Sequence, residues 1–230
     1  MSWREEAKKR VALEAVKLVQ DGFIVGLGSG STIAYAIREI GRKIRGEGLK
    51  VLGIPTSYQA SLLAVENGIP LTTLNEHPEP DLAIDGADQI DPQLNLIKGM
   101  GGALTQEKVV SSAARRLVIV ADETKMAEKL GTNQPVPVET MPFALTPVML
   151  KIQEMGGKPV LREGKGKVGP VVTDNGNFIL DVDFGLIAEP KELNLKLKSI
   201  PGVIETGLFV DLAETVYVGT PTTVRRLRRK

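Results

Sequence analysis

From residue 84 to residue 108 the chain reads IDGADQIDPQLNLIKGMGGALTQEK, bringing Asp85, Asp88, Asp91, Lys98, a run of glycines and Glu107 close together. A carboxylate beside a cation and a row of backbone N–H groups can move a proton while holding an oxyanion. Those are the two requirements for breaking a C–H bond next to a carbonyl. The rest of the chain narrows the options, because it holds one histidine, His77, and no cysteine. Thiolate nucleophiles, redox pairs, disulfides and thiolate zinc sites are excluded. The aspartates do not form a calcium loop. Counted from Asp85, an EF-hand needs oxygen ligands at Ala87 and Gln89, glycine at Ile90 and glutamate at Leu96. His77, alone before Pro78, reads as a surface loop residue, and Asp91, before Pro92, reads as a turn former. No metal is expected.

A second stretch, GLGSGST, ends in Ser29, Gly30, Ser31 and Thr32. Glycines let the backbone approach an anion closely, two kinds of hydroxyl donate, and a following helix would present its first N–H groups. The Walker pattern needs lysine after its last glycine and the dinucleotide fingerprint needs glycine three places beyond Gly28; Ser31 stands at both positions. A small monophosphate suits the loop better. Taken singly, this loop also reads as a plain tight turn, and Glu107–Lys108 as a solvated helix pair.

In the elements that carry these residues, Ser2 and Glu5 form a capping box ahead of a first helix that stops near Asp21-Gly22. FIVGL reads as a strand, IAYAIREIGRKI as a helix, KVLGI as a strand and YQASLLAVEN as a helix capped by Ser57. Apolar runs at LAI and LNLI, the helix LTQEKVVSSAA and the strand LVIVA follow. This alternation implies a mostly parallel sheet covered on both faces. After the proline-rich GTNQPVPVETMP the rhythm becomes strand-helix-strand-strand-helix-strand, the split βαβ plan of a ferredoxin-like domain. Its last strand is GVIETGLF, and TVYVG then rejoins the first sheet. The expected architecture is α/β: a Rossmann-like, mostly parallel sheet domain of residues 1–130 and 207–230, with an inserted ferredoxin-like α+β domain of residues 131–206.

Ligands of open parallel sheets bind outside the carboxyl ends of the strands. Ser29–Thr32 follow FIVGL, Asp85 and Asp88 follow LAI, Lys98 follows LNLI, and Asp122 and Lys125 follow LVIVA. Four polar groups are thus expected on one rim, with Glu107 in the first turns of a helix beside it.

At 230 residues and 42% hydrophobic content the chain can bury a core without staples. Its net charge of +1 gives no general attraction for nucleic acid or an acidic membrane surface. No apolar run reaches the length of a membrane helix, and MSWREEAKKR is not a signal peptide, so a cytoplasmic globular protein is expected. The closing RRLRRK reads as a solvated tail.

In their order, GSGST, DGADQID, KGMGGALTQEK, DETK and GLFVDLAETVYVG resemble ribose-5-phosphate isomerase of the A type across essentially the whole chain. The resemblance implies interconversion of D-ribose 5-phosphate and D-ribulose 5-phosphate in the non-oxidative pentose phosphate pathway, through an enediolate and without cofactor or metal. It implies Glu107 as the proton shuttle between C1 and C2, Asp85 and Asp88 as the groups handling the sugar hydroxyls and ring opening, and Lys98 as the cation beside the oxyanion. Ser29, Gly30, Ser31, Thr32, Gly86, Ala87, Gly99, Met100, Gly101 and Lys125 would bind substrate. It further implies a homodimer or homotetramer. Met100 departs from the usual glycine, Gln106 from the common arginine and Gln89 from the common glutamate. The alternative is a non-catalytic sugar-phosphate-binding regulatory domain, which would be expected to carry an added DNA-binding segment; the first helix leads straight into the sheet. An aminosugar-phosphate deaminase fits the motif set less well.

Overall fold

The structure, a computed structural model, describes residues 2–229. In chain order its elements are α1 (Trp3–Val16), β1 (Ile24–Leu27), α2 (Ser31–Glu47), β2 (Leu52–Pro55), α3 (Tyr58–Glu66), β3 (Leu82–Asp85), β4 (Gln89–Ile90), β5 (Leu96–Ile97), α4 (Leu104–Ala113) and β6 (Leu117–Asp122). They continue as β7 (Val136–Thr140), α5 (Leu145–Glu154), β8 (Lys158–Leu161), β9 (Phe178–Asp183), α6 (Pro190–Lys198), β10 (Val203–Thr206), β11 (Leu208–Phe209), β12 (Thr215–Gly219) and β13 (Val224–Arg228). The chain divides into two compact units. One comprises residues 1–87, 106–125 and 212–230; the other comprises 88–105 and 126–211. Residues 88–105, 126–130 and 207–211, expected with the parallel sheet, therefore belong to the second unit.

The first unit is built on a six-stranded sheet in the order β13-β12-β6-β3-β1-β2. Every neighbouring pair is parallel except β12 with β13. The inner strands are apolar because helices cover both faces; Leu117 to Asp122 are all buried. On α1 the buried Ala7, Val11, Ala12, Ala15 and Val16 recur at helical spacing, and the last four join Val25, Leu27, Ile37 and Ile40 in one core. Half of the expected capping box forms: Ser2 Oγ accepts from the Glu5 N–H, while the Glu5 carboxylate takes hydrogen bonds from Lys8 and Tyr35.

The basic C-terminus is not a solvated tail. Arg225, Arg226 and Arg228 belong to β13, which pairs antiparallel with β12 in five-residue register; Lys230 lies outside the described residues. Charged side chains suit this position, since an edge strand rich in arginine discourages further strand pairing.

The second unit holds a four-stranded antiparallel sheet, β10-β7-β9-β8, with α5 and α6 as its crossovers. Numbered within the unit, that is the 4-1-3-2 order of a ferredoxin-like fold, so this is the inserted α+β domain that the strand-helix rhythm implied. Val138, Val148, Ile152, Leu180, Val182 and Leu197 form its core. A three-stranded ribbon, β11-β5-β4, belongs to the same unit. GVIETGLF is thus two strands in two sheets, divided at Gly207, and LNLI supplies an antiparallel ribbon strand. Lys98 consequently does not follow a strand of the parallel sheet.

Candidate active site

Numbered by appearance, the parallel strands of the first unit run 2-1-3-4-5, and the order reverses between β1 and β3. That reversal opens the crevice in which doubly wound sheets bind ligands. The GSGST loop leaves β1 there and Asp85 ends β3 beside it. The Asp85 side chain is buried, and its Oδ1 accepts the Gly86 N–H at 2.7 Å and the Ser29 N–H at 3.3 Å. Gly28 makes the approach possible. A Cβ at that position would lie 2.2 Å from Asp85 Oδ1.

The loop then enters α2 with Gly30 as N-cap, so no side chain caps the helix and its first N–H groups keep their ability to meet an anion. Hydroxyls gather around it. Ser29 Oγ lies 2.9 Å from Thr56 Oγ1 and donates to Ser57 Oγ at 2.6 Å, while Gln59 Oε1 accepts the Gly30 N–H at 2.9 Å. Ser31 Oγ accepts from Lys8 Nζ at 3.2 Å, and Thr32 follows it in the first turn. Glu5 holds Lys8 at 2.8 Å. The Glu5 carboxyl is in turn kept below its ordinary value by the hydrogen bond from Lys8 and then by that from Tyr35.

At the carboxyl end of β6, Asp122 Oδ1 accepts from Thr124 N at 3.0 Å and shapes the short 3-10 turn Glu123–Lys125. β6 adjoins β3, so this turn stands two strand spacings from the β1 loop, about 10 Å at about 4.8 Å per strand. Among the described residues Lys125 makes no ion pair. α4 returns the chain to the amino end of β6, which puts its first turn at the carboxyl rim. Val110 packs on β1, its Cγ1 2.6 Å from where a Gly26 Cβ would stand. Glu107 lies one turn earlier on the same face and is only 5% exposed. The structure therefore brings Ser29–Thr32, Asp85, Gly86, Ala87, Glu107 and Lys125 to one rim of the first unit.

Asp88, Lys98, Gly99, Met100 and Gly101 belong to the second unit. The ribbon aligns them, because the Asp88 N–H donates to the Ile97 carbonyl at 2.9 Å and the Lys98 N–H donates to the Gly207 carbonyl at 2.8 Å. Asp88 Oδ2 accepts the Met100 N–H at 2.9 Å. The turn closes with Gly102 N–H on the Gly99 carbonyl at 3.0 Å. Gly99 has φ +102° and its missing Cβ would crowd Leu104, so both backbone and space require glycine. Lys98 is 3% exposed, with Nζ 5.3 Å from the centroid of the Phe209 ring.

Two of the expected departures have structural settings. Gln89 uses both ends of its amide, accepting the Gly131 N–H and donating to the Thr132 carbonyl, each at 2.7 Å; a carboxylate could not donate. Met100 is half-exposed, its sulfur near the Arg162 guanidinium. Asp91 closes a turn, accepting from Asn95 N at 2.8 Å.

The residues that sequence reasoning missed are Thr56, Ser57 as a rim hydroxyl, Gln59 and Lys8. The carboxyl-end test applied to β2 would have found Thr56 and Ser57. Lys8 reaches Ser31 only because α1 packs on α2, and that packing leaves no mark at Lys8 itself.

A family model described as ribose 5-phosphate isomerase A (phosphoriboisomerase A) matches residues 52–223. Ribose-5-phosphate isomerase A of Methanosarcina acetivorans is 57% identical over 212 residues, covering 92% of this chain and 89% of that one. The Methanothermobacter thermautotrophicus protein is 51% identical over 221 residues, covering 96% and 97%. Among solved structures, ribose 5-phosphate isomerase A of Methanocaldococcus jannaschii superposes with a TM-score of 0.94 at 49% identity, over 97% of this chain and 99% of that one. A D-ribose-5-phosphate isomerase in complex with phospho-erythronic acid superposes with a TM-score of 0.97 at 45% identity, over 100% of both.

Proposed function

This chain belongs to the ribose 5-phosphate isomerase A family, and on that premise we propose that it interconverts D-ribose 5-phosphate and D-ribulose 5-phosphate by proton transfer at the Asp85–Glu107 rim. The observation that carries the assignment of the site is the crevice between β1 and β3, where Asp85 accepts the Ser29 and Gly86 amides beside an uncapped helix N-terminus. The substrate phosphate, carrying about −1.5 to −2 charges near neutral pH, is the group for Ser29–Thr32, the α2 N-terminus, Lys125 and Lys8. It lies far from the reacting carbons, so its binding energy can orient them.

Asp85 and Asp88 take the sugar hydroxyls and assist opening of the furanose. Glu107 removes the C2 proton of the open aldehyde, and the electrons move to O1 to give an enediolate. The O2 proton passes to O1 and Glu107 returns its proton to C1, leaving a ketone at C2. One carboxylate serves both transfers because the two carbons are neighbours. Lys98 and the amides of Gly99, Met100 and Gly101 hold the oxyanion.

The ligand of the similar isomerase fits this course, since a phosphorylated four-carbon sugar acid presents two carboxylate oxygens in one plane as an enediolate does. The relatives that match over nearly the whole chain are isomerases, so the non-catalytic sugar-phosphate sensor is not favoured. Among the described residues no helix is long and apolar enough to cross a membrane; cytoplasmic location and assembly as a dimer or tetramer are part of the proposal. The test is conversion of ribose 5-phosphate by purified protein, followed by nuclear magnetic resonance, with phospho-erythronic acid as competitor. Turnover that the acid inhibits competitively supports the reading, and binding of both compounds without turnover refutes it.

A further inference from the structure

The glycine turn after Lys98 is gripped from the ferredoxin-like sheet of its own unit. Arg162, directly after β8, donates through Nη1 to the Gly99 carbonyl at 2.9 Å and to the Met100 carbonyl at 3.0 Å. The other side of the guanidinium forks onto Asp181 of β9, Nε to Oδ2 at 2.8 Å and Nη2 to Oδ1 at 2.5 Å. The side chains of Arg162 and Asp181 are 12% and 22% exposed. A two-toothed pair this well covered holds its geometry far better than a surface ion pair.

The grip fixes peptide planes, because the C=O and N–H of a trans peptide point in opposite directions. Holding the Gly99 carbonyl aims the Met100 N–H away from Arg162, and that N–H is found on Asp88 Oδ2. Holding the Met100 carbonyl aims the Gly101 N–H away in the same manner, and that N–H meets no acceptor among the described residues. The turn is otherwise closed by one backbone hydrogen bond and contains three glycines, a composition that would let it sample many conformations.

We propose that Arg162, locked by Asp181, is a positioning residue for the isomerisation: it sets the peptides at 99–101 so that Asp88 is anchored and the Gly101 amide is presented to the developing oxyanion. The inference rests on the reading of the 98–101 loop as the oxyanion site. Arg162 acts through the loop and not on the sugar, since its hydrogen bonds go to the Gly99 and Met100 carbonyls and to Asp181. Its loss is therefore a loss of transition-state stabilisation with substrate binding kept.

Steady-state kinetics with ribose 5-phosphate and thermal melts on Arg162→Met, Arg162→Lys, Asp181→Asn and Lys98→Met test this. The expected result for Arg162→Met is a kcat lowered about 10- to 100-fold, the range for small misplacement of catalytic groups, with KM changed less than about threefold. Arg162→Lys recovers only part, because an ammonium lacks the planar fork that takes the Asp181 carboxylate on one side and the two carbonyls on the other. If Arg162→Met does not fold, Arg162→Lys and Asp181→Asn are judged by the same split. Variants with wild-type kcat and a lowered melting temperature overturn the proposal, as does a rise confined to KM. An inactive Lys98→Met beside unaffected Arg162 variants removes the positioning role alone; a fully active Lys98→Met removes the oxyanion reading and this proposal with it.

Discussion

Replacing Gly28 by alanine tests whether the β1–β3 crevice is the catalytic centre. The new Cβ would lie 2.2 Å from Asp85 Oδ1, 2.3 Å from its Cγ and 2.8 Å from its Cα. Ordinary contact distances begin near 3.4 Å, so the carboxylate must retreat by about 1.2 Å. The Cα has little room to help, because β3 is hydrogen-bonded between β1 and β6. Displacing a catalytic group by about 1 Å costs about 100-fold in rate. Overpacking at a buried site costs about 1–3 kcal/mol, which for a chain of this size lowers Tm by about 2–12 °C. The expected outcome is a folded protein with kcat/KM down about 100-fold, measured by direct assay of ribose 5-phosphate conversion and by calorimetry. Gly46→Ala serves as the control: Gly46 is exposed in α2, nothing lies within 4 Å of its added Cβ, and alanine there should stabilise by about 0.4–1 kcal/mol without affecting turnover. A Gly28→Ala protein with wild-type Tm and turnover within about threefold would refute the reasoning.

A buried carboxylate in the second unit gives another test. Glu139 is fully buried, accepting from Thr173 Oγ1 at 2.8 Å, Asn177 Nδ2 at 2.9 Å and Thr105 Oγ1 at 2.6 Å. Glu139→Leu removes the acceptor these donors share, and chemical denaturation should show about 2–4 kcal/mol lost; a change below about 0.5 kcal/mol would contradict the network. Acid stability follows from Glu214, whose carboxyl is held below 4.5 chiefly by the hydrogen bond from Arg116. A lowered folded pKa contributes stability that is fully present above about 4.5 and is lost as pH falls through the folded value. Arg116→Gln should therefore reduce stability at neutral pH and flatten its decline below pH 4.5, and an unchanged acid-unfolding profile would contradict the link.

The alternation of buried strands and helices was legible because each run of apolar residues in the first unit has its own length and boundary, as at Val25–Leu27 and Leu117–Ala121. The ferredoxin-like plan was equally legible from the order of its strands and helices. LNLI was misplaced because a short apolar run looks alike in a parallel sheet and in an antiparallel ribbon. β13 was hidden by its charges, which mark an edge strand as well as they mark a tail. In the site, Ser29, Asp85 and Lys125 could be placed by one rule about strand ends, whereas Lys8 and Arg162 act across packed elements and show no local pattern. The glycine turn itself was visible; what holds it still was not.

The most direct measurement is single-turnover conversion of ribose 5-phosphate by the wild-type protein and by Glu107→Gln, run in deuterium oxide with label read at C1 and C2. Wild-type protein should convert the sugar and incorporate solvent label. Glu107→Gln should bind it while losing about 100- to 10,000-fold in rate, the span of general acid–base catalysis by one residue. A folded Glu107→Gln variant that turns over and incorporates label like wild type would contradict the account at its centre.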